Sequence, residues 1–324
     1  MGNGETHPAA PQRSDSPLVR PIRLEPAFHD PERVVELIRR GSPYRTEEKV
    51  HRHPGVTRTG GWFRNFWALG GKVVFDGADE AFHNPIYLDV ARRLFDAEVV
   101  RPVAMMTNLN LPMAGLPPHL DLPFFRGAMN REVPSWMLAP MGYSGLFQRW
   151  AVPVASAIAW FYDGAGGEFE YWPDGLDHDS ASERPPFWNS ALIGDNEYTY
   201  HRVGPVGRKS DHVPDDGVPF DAELVLAEGG RSWRVQDGTD TISTHDWADV
   251  RLSVLWKAYC FRTANEAAAY DDHTDDLTPE RVTQIFADDL HQRGVAFELP
   301  EDPHTDLAWK TLLLDAYPAV AAAT

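Results

Sequence analysis

The chain has 324 residues, a formal net charge of −18 and a single cysteine, Cys260. Its length can bury a sizeable core, and its acidity argues against nucleic acid, which needs clustered Lys and Arg. One cysteine excludes an internal disulfide and any multi-cysteine metal site, and suits a reducing cytoplasm. No stretch approaches the ~20 apolar residues that cross a bilayer, and residues 1–8 do not resemble a secretory signal. We therefore expect a cytoplasmic protein without a membrane partner.

Two helices are predicted in the first third of the chain. Residues 1–19 are rich in Pro, Ser and small polar residues, which predicts a flexible lead-in to a single domain over 20–324. Residues 30–41 form a helical pattern, with Asp30 as N-cap, a proline in the first turn and Gly41 as the stop. A second helix follows the same pattern from Asn84 to Leu94.

An aromatic cluster, Trp62–Trp67, lies between these helices. Aromatic side chains are first of all large burial units, so we expect the cluster to pack in the core. A role facing the substrate is the alternative.

From about residue 99 to 261 the pattern changes to short apolar runs broken by Gly, Pro and Asp, which predicts strands. The clearest are 152–162 and 253–261, and 164–172 ends in strict alternation after a glycine turn. Many strands without regular helical alternation indicate a mainly β fold with flanking helices, a sandwich or jelly roll.

Two further segments complete the predicted domain. Residues 207–249 are polar and interrupt the strand region, which is typical of an inserted hairpin or lid. Helices are expected over 264–324, the first clear one capped by Thr278 and ending at Gly294.

The most informative motif is His119-Leu-Asp121. Side chains two residues apart in an extended segment project to the same side, so this imidazole and this carboxylate could hold one metal ion. His201, which follows an apolar strand and precedes a Gly-Pro turn, is the best third ligand. Two histidines and a carboxylate with open positions are the ligand set of non-haem Fe(II) oxygenases. The alternative is a hydrogen-bonded His-Asp pair at a loop end.

Other histidines are weaker candidates for the third ligand. His245 lies only a few residues before Arg251, too near for a strand, a turn and a strand to reach one metal at ~3.3 Å per residue. His51 and His53 alternate in the same way, but they lack a partnered carboxylate.

The order of four motifs resembles the Fe(II)/2-oxoglutarate-dependent oxygenase superfamily. In chain order they are Pro-His-Leu-Asp at 118–121, Gly-Gly-Glu at 166–168, the Asp195–His201 segment and Arg251–Trp256. The resemblance covers about residues 99–261 and implies a double-stranded β-helix (cupin-like barrel). It also implies that His119, Asp121 and His201 ligate Fe(II), and that a basic residue on a late strand binds the distal carboxylate of 2-oxoglutarate.

Arg251 is the predicted anchor for that carboxylate. A planar guanidinium matches a carboxylate bidentately, and Ser253 points to the same side at strand spacing. In the family the arginine usually follows the distal histidine closely, whereas here the 207–249 segment separates them; a long loop adds little closure entropy. Arg208 is the competing residue, although its setting is typical of a turn, and pairing of Arg251 with Asp249 is the non-functional alternative.

Further side chains are candidates to meet the small molecules. Asn108 and Asn110 alternate on the strand before the metal motif, where either could reach the cosubstrate or the substrate. Candidate pocket walls are Arg126, Trp136, Tyr162 and Trp172.

The resemblance implies an enzyme that uses Fe(II), 2-oxoglutarate and O₂ to oxidise an unactivated C–H bond, with release of succinate and CO₂. Hydroxylation, desaturation and cyclisation fit these ligands equally, while an aspartate at 121 argues against halogenation, because family halogenases carry a small residue there. An enclosed, aromatic-rich pocket suits a small metabolite. Two alternatives stay open: an Fe(II)-dependent oxidase or isomerase without 2-oxoglutarate, and a non-enzymatic jelly-roll binding module.

Overall fold

The computed structural model describes residues 19–47, 57–129, 132–214 and 217–318. Residues 1–18 of the predicted lead-in lie outside this part of the chain, as do His51 and His53. The described helices are Pro31–Arg40 (α1), Asp79–Phe82 (α2), Pro85–Leu94 (α3), Ser135–Ser144 (α4), Ala264–Asp271 (α5), Pro279–Gln292 (α6) and Leu307–Ala316 (α7).

The strands make this a mainly β protein with flanking helices, as predicted. Their bounds are Ile22–Leu24 (β1), Tyr44–Thr46 (β2), Arg58–Thr59 (β3), Trp62–Leu69 (β4), Lys72–Val73 (β5), Val99–Asn110 (β6), Val154–Tyr162 (β7), Phe169–Trp172 (β8), Ala181–Glu183 (β9), Phe187–Gly194 (β10), Tyr200–Val203 (β11), Val218–Pro219 (β12), Glu223–Leu226 (β13), Ser232–Asp237 (β14), Asp240–Asp246 (β15) and Arg251–Phe261 (β16).

Three of the predicted helices begin directly after their predicted N-cap residues. The side chain of Asp30 accepts a hydrogen bond from the Arg33 amide at the start of α1, and Asn84 accepts from Ile86 at the start of α3. Thr278 caps α6 in the same way. Each helix has a proline in its first turn, where the missing amide costs no helical hydrogen bond.

The centre of the main sheet has the antiparallel order β10-β7-β16-β6. One face packs on α1, α2 and α3 and forms the principal hydrophobic core. The other face looks into the barrel, and β16 contributes Arg251 and Ser253 to it at strand spacing. In the pairing of β16 with β6, Arg251 lies opposite Asn110 and Ser253 opposite Asn108, so these four residues are neighbours.

A second, smaller sheet of order β11-β8-β9 faces the main sheet. The ring of Trp160 on β7 lies 5.7 Å from that of Phe169 on β8, so the two sheets pack through aromatic side chains. An antiparallel bridge between His119 and His201 adds the His119 segment as a fourth member beside β11. Two opposed four-membered sheets with this order form a double-stranded β-helix.

Strands outside the barrel extend the main sheet. β4 pairs with β6, β2 pairs with β4, and β13-β14-β15 continue the sheet beyond β2. The last three belong to the 207–249 segment, and β14 and β15 form a hairpin. We call β13–β15 the sheet extension. The predicted aromatic cluster at 62–67 is part of β4, and Phe63 and Trp67 are fully buried in the core.

The C-terminal helices have a core of their own. Side chains of α4, α6 and α7 pack together with Phe125 and Phe147, beside the barrel end that carries the His119 segment. In the described part of the chain, no helix combines the length and apolar character needed to span a membrane.

Candidate metal centre

The three predicted ligands meet inside the barrel. The backbones of His119 and His201 exchange two hydrogen bonds of 3.0 Å, and the amide of Asp121 donates to the carbonyl of Asn196 at 2.9 Å. These backbone bonds bring one ligand atom from each of His119, Asp121 and His201 within 4.8 Å of the others. The side-chain alternation predicted for His119 and Asp121 is therefore the geometry that joins them.

Both imidazoles are oriented for metal binding. His119 Nδ1 lies 3.0 Å from the Pro117 carbonyl, and His201 Nδ1 lies 2.9 Å from the Thr199 carbonyl. A carbonyl oxygen only accepts, so each Nδ1 must carry a proton, and Nε2 is the ring nitrogen that each histidine can offer to a metal. His201 Nε2 lies 3.6 Å from Asp121 Oδ1, a separation that an ion between them would bridge.

The charges of the site favour a neutral histidine and an ionised aspartate. Burial, and then the neighbouring His201, lower the pKa of His119 below its usual 6.5. Burial alone would raise the pKa of Asp121, but the Lys257 ammonium and His201 hold it well below its usual range. Lys257 Nζ donates to Asp121 Oδ2 at 2.7 Å. These are the protonation states that a metal ligand needs.

Arg251 lies at the start of β16 with its guanidinium buried. Its Nε donates to the Gly167 carbonyl at 2.7 Å, while its Nη2 is buried and has no hydrogen-bond partner among the described residues. Burial lowers the pKa of Arg251 to about 10, so it is a cation at neutral pH. Burying a cation whose donor lacks a partner costs free energy. An anionic ligand at this guanidinium would offset that cost.

The glycines before β8 allow this approach. Gly167 has φ +74°, a left-handed conformation, and a Cβ at this position would lie 2.9 Å from Arg251 Cδ. Gly167 of the sequence motif therefore allows the Arg251 side chain to pack against the backbone.

One cavity joins the three metal-ligand candidates to Arg251. Ser253 lines it, and so do Asn108 and Asn110, as predicted from their place on β6. The Oδ1 of Asn110 is buried and lacks a hydrogen-bond partner within the described residues. The complete lining is Trp62, Arg64, Asn108, Asn110, His119, Asp121, Ile158, Phe169, Asn196, His201, Val203, Arg251, Ser253 and Leu255.

Four predicted pocket walls do not line this cavity. Arg126 donates to the Thr274 carbonyl at 2.8 Å, beside the helical core. Trp136 lies on α4, 6.0 Å from the ammonium of Lys310. Arg202 covers the ring of Trp172, and Tyr162 donates to the Ala165 carbonyl. The segment that follows Phe124 leads into the helical core, which is where Trp136 packs.

The rival candidates lie elsewhere. His245 is on β15, within 2.9 Å of Ser243 Oγ, and does not belong to the cluster of three ligands. Arg208 is exposed. The 207–249 segment contributes no described residue to the cavity lining.

Sequence reasoning missed three polar residues of the site, Arg64, Asn196 and Lys257. Trp62 belongs to the aromatic cluster for which a role facing the substrate was the alternative, and it lines the cavity. Asn108 Oδ1 accepts hydrogen bonds from Trp62 Nε1 at 3.1 Å and Arg64 Nε at 2.7 Å, which fixes the amide in the cavity wall. Lys257 shares the inward face of β16 with Arg251, so the period of two could have identified it. For Arg64 and Asn196 the sequence holds no comparable signal.

The fold and the site together define a double-stranded β-helix with a candidate two-histidine, one-carboxylate metal centre. No protein-family model matches the chain, and no curated protein matches it. Similar solved structures include a 2OG-Fe(II) oxygenase family oxidoreductase from Burkholderia pseudomallei, at 12% identity over 76% of this chain and 86% of that one, with a TM-score of 0.40.

Two further structures are prolyl hydroxylases. The Trichoplax adhaerens enzyme, in complex with a hypoxia-inducible-factor peptide, is 11% identical over 74% of this chain and 83% of its own, with a TM-score of 0.41. The Pseudomonas putida prolyl-4-hydroxylase is 14% identical over 75% of this chain and 93% of its own, with a TM-score of 0.38.

Proposed function

We propose that this protein is a non-haem Fe(II)- and 2-oxoglutarate-dependent oxygenase that oxidises an unactivated C–H bond of a small metabolite. One observation carries the proposal: a cluster of two imidazoles and a carboxylate shares a cavity with a buried arginine whose Nη2 has no hydrogen-bond partner in the described part of the chain. The first group suits a metal ion with open positions, and the second suits a carboxylate.

The donor set fits Fe(II). His119 and His201 would bind it through Nε2 and Asp121 through Oδ1, since Oδ2 is held by Lys257. When bound, such an ion supplies the one-electron and O₂ chemistry that side chains cannot perform. The carboxylate at 121 also argues against halogenation, because it fills the position that a halide would need.

The chain's own polar groups would orient 2-oxoglutarate. Arg251 can pair with the distal carboxylate through Nη2, and Ser253, two residues further on the same face, can donate its hydroxyl. Asn108, held by its neighbours, and the unpartnered oxygen of Asn110 can meet the remaining polar groups of cosubstrate or substrate.

The apolar lining would keep bulk water away from the reacting carbon. The apolar side chains of the lining include Ile158, Phe169 and Leu255. A dry site strengthens the electrostatic contacts that hold the cosubstrate and limits side reactions. Hydroxylation, desaturation or ring closure would follow from where the substrate places its C–H bond. A reducing cytoplasm, which keeps Cys260 a free thiol, suits a ferrous enzyme.

Anaerobic titration with Fe(II) and 2-oxoglutarate tests this function. A weak visible charge-transfer band should appear only when both are present. Iron uptake without the band would favour an oxidase or isomerase on the same fold, and no iron uptake would favour a binding module. A screen of candidate metabolites for succinate release would then identify the substrate.

A further inference from the structure

Lys257 is a buried cation at the metal site that the chemistry above does not use. It lies on β16, on the same inward face as Arg251, Ser253 and Leu255, and its side chain is 12% exposed. Its ammonium donates to Asp121 Oδ2 at 2.7 Å and lies 6.0 Å from the ring centre of Phe124. The contact joins the last barrel strand to the segment that carries His119.

Further carboxylates lie near enough to attract the Lys257 ammonium. Besides Asp121, the carboxylates of Glu197 and Asp195 attract Lys257 electrostatically, and they lie on the turn that leads to His201. A buried ammonium needs such anionic neighbours, because an isolated one is strongly disfavoured. The hydrogen bond to Asp121 therefore holds Lys257 in place, because breaking it would separate two largely buried opposite charges.

The two oxygens of Asp121 have different environments. Oδ2 accepts the bond from Lys257, whereas Oδ1 faces His201 Nε2 at 3.6 Å. A carboxylate can bind a metal through one oxygen or through both. To chelate through both, Asp121 would have to give up a short, buried, charge-assisted hydrogen bond.

We propose that Lys257 is a positioning residue that keeps Asp121 a one-oxygen ligand and so preserves an open coordination position on the metal. This inference rests on the proposed function. Two histidines and one carboxylate oxygen leave three positions of an octahedral ion free, enough for a chelating cosubstrate and one further ligand. A chelating carboxylate would leave only two.

The first test uses the wild-type protein loaded with Mn(II), which prefers the same octahedral coordination and relaxes the protons of its bound waters. The inner-sphere water-proton relaxivity should correspond to three exchangeable waters for each bound ion. A value for two waters would overturn the inference even if no variant folds. Failure of the wild type to bind Mn(II) at all would instead count against the proposed metal site itself.

The second test compares Lys257→Met with Lys257→Arg and with Lys72→Met, a control at an exposed lysine. Relaxivity for each bound Mn(II) should fall by about one third in Lys257→Met, because one water position is lost, and should keep the wild-type value in the other two. A salt bridge with a merely structural role would behave differently: Lys257→Met would melt at a lower temperature, but its relaxivity for each bound ion would not change. That result would overturn the inference and leave the proposed function intact.

Discussion

The main sheet continues from the barrel into the sheet extension, yet polar side chains have different environments in these two regions. In the barrel, Arg251, Asn110 and His201 are 2%, 2% and 5% exposed. In the extension, polar side chains of β15 alternate between half-buried and exposed, and His245 is satisfied by its near neighbour Ser243. Sheet continuity therefore does not mark the site; what marks it is a cluster of metal-ligand candidates that shares one cavity with a buried arginine.

The free-energy cost of that burial explains the difference. A polar atom buried without a partner costs stability. Within the described chain, neither Arg251 Nη2 nor Asn110 Oδ1 has a hydrogen-bond partner. A bound ligand that hydrogen-bonds to both atoms would remove this cost. The extension lies in the chain between His201 and Arg251, yet both residues line the same cavity.

The largest expected effect comes from removing a ligand. His119→Ala should lower Mn(II) or Fe(II) affinity by more than about 100-fold, since loss of residues that merely support ligands already costs 10–100-fold. Anaerobic calorimetric titration measures it. His245→Ala, a histidine of the extension, is the matched control and should bind as the wild type does. Equal losses in both variants would remove the distinction between the two regions.

Next in size is the loss of the cosubstrate anchor. Arg251→Gln should raise the 2-oxoglutarate concentration needed for the charge-transfer band by at least about 30-fold, because truncating one member of a buried charged pair costs about 2–5 kcal/mol. Metal affinity should remain. Arg208→Gln is the control. If the required 2-oxoglutarate concentration rises with Arg208→Gln and not with Arg251→Gln, Arg208 is the anchor.

A change in the core of the extension should affect stability and not the site. Trp233 is fully buried and contacts Tyr44 and Trp247, so Trp233→Ala should lower the free energy of unfolding by about 3–5 kcal/mol. Urea denaturation followed by metal titration of the folded protein separates the two quantities. Trp188→Ala, at a tryptophan that is 53% exposed, should cost much less. Loss of metal affinity by the folded Trp233→Ala protein would show that the extension supports the site.

The smallest expected effect is a pH dependence in the extension. Burial lowers the pKa of His245 below 6.5, partly offset by Asp249, so the unfolded chain takes up this proton more readily. Stability from this group is present above about pH 6.5 and decreases as the pH falls. Wild type should therefore lose slightly more stability than His245→Asn between about pH 7.5 and about pH 5.5, by under about 1 kcal/mol. The reverse order in thermal melts would contradict the assigned shift.

Local signals in the sequence predict much of the fold and part of the site. Caps at Asp30, Asn84 and Thr278 depend on neighbouring residues alone, and the period of two places His119 beside Asp121. The pairing of β13 with β2 depends on contacts between residues far apart in the chain, which no local pattern encodes. Arg64 has no local signal for a related reason, since a charge in an apolar run reveals its partner only after the chain has folded.

The most direct test is a crystal structure with Mn(II) and 2-oxoglutarate, recorded with anomalous scattering at the manganese edge. We expect one strong peak bonded to His119 Nε2, His201 Nε2 and Asp121 Oδ1, with the distal carboxylate of 2-oxoglutarate paired to Arg251. A metal peak elsewhere, or a cosubstrate that does not contact Arg251, would contradict the proposed site.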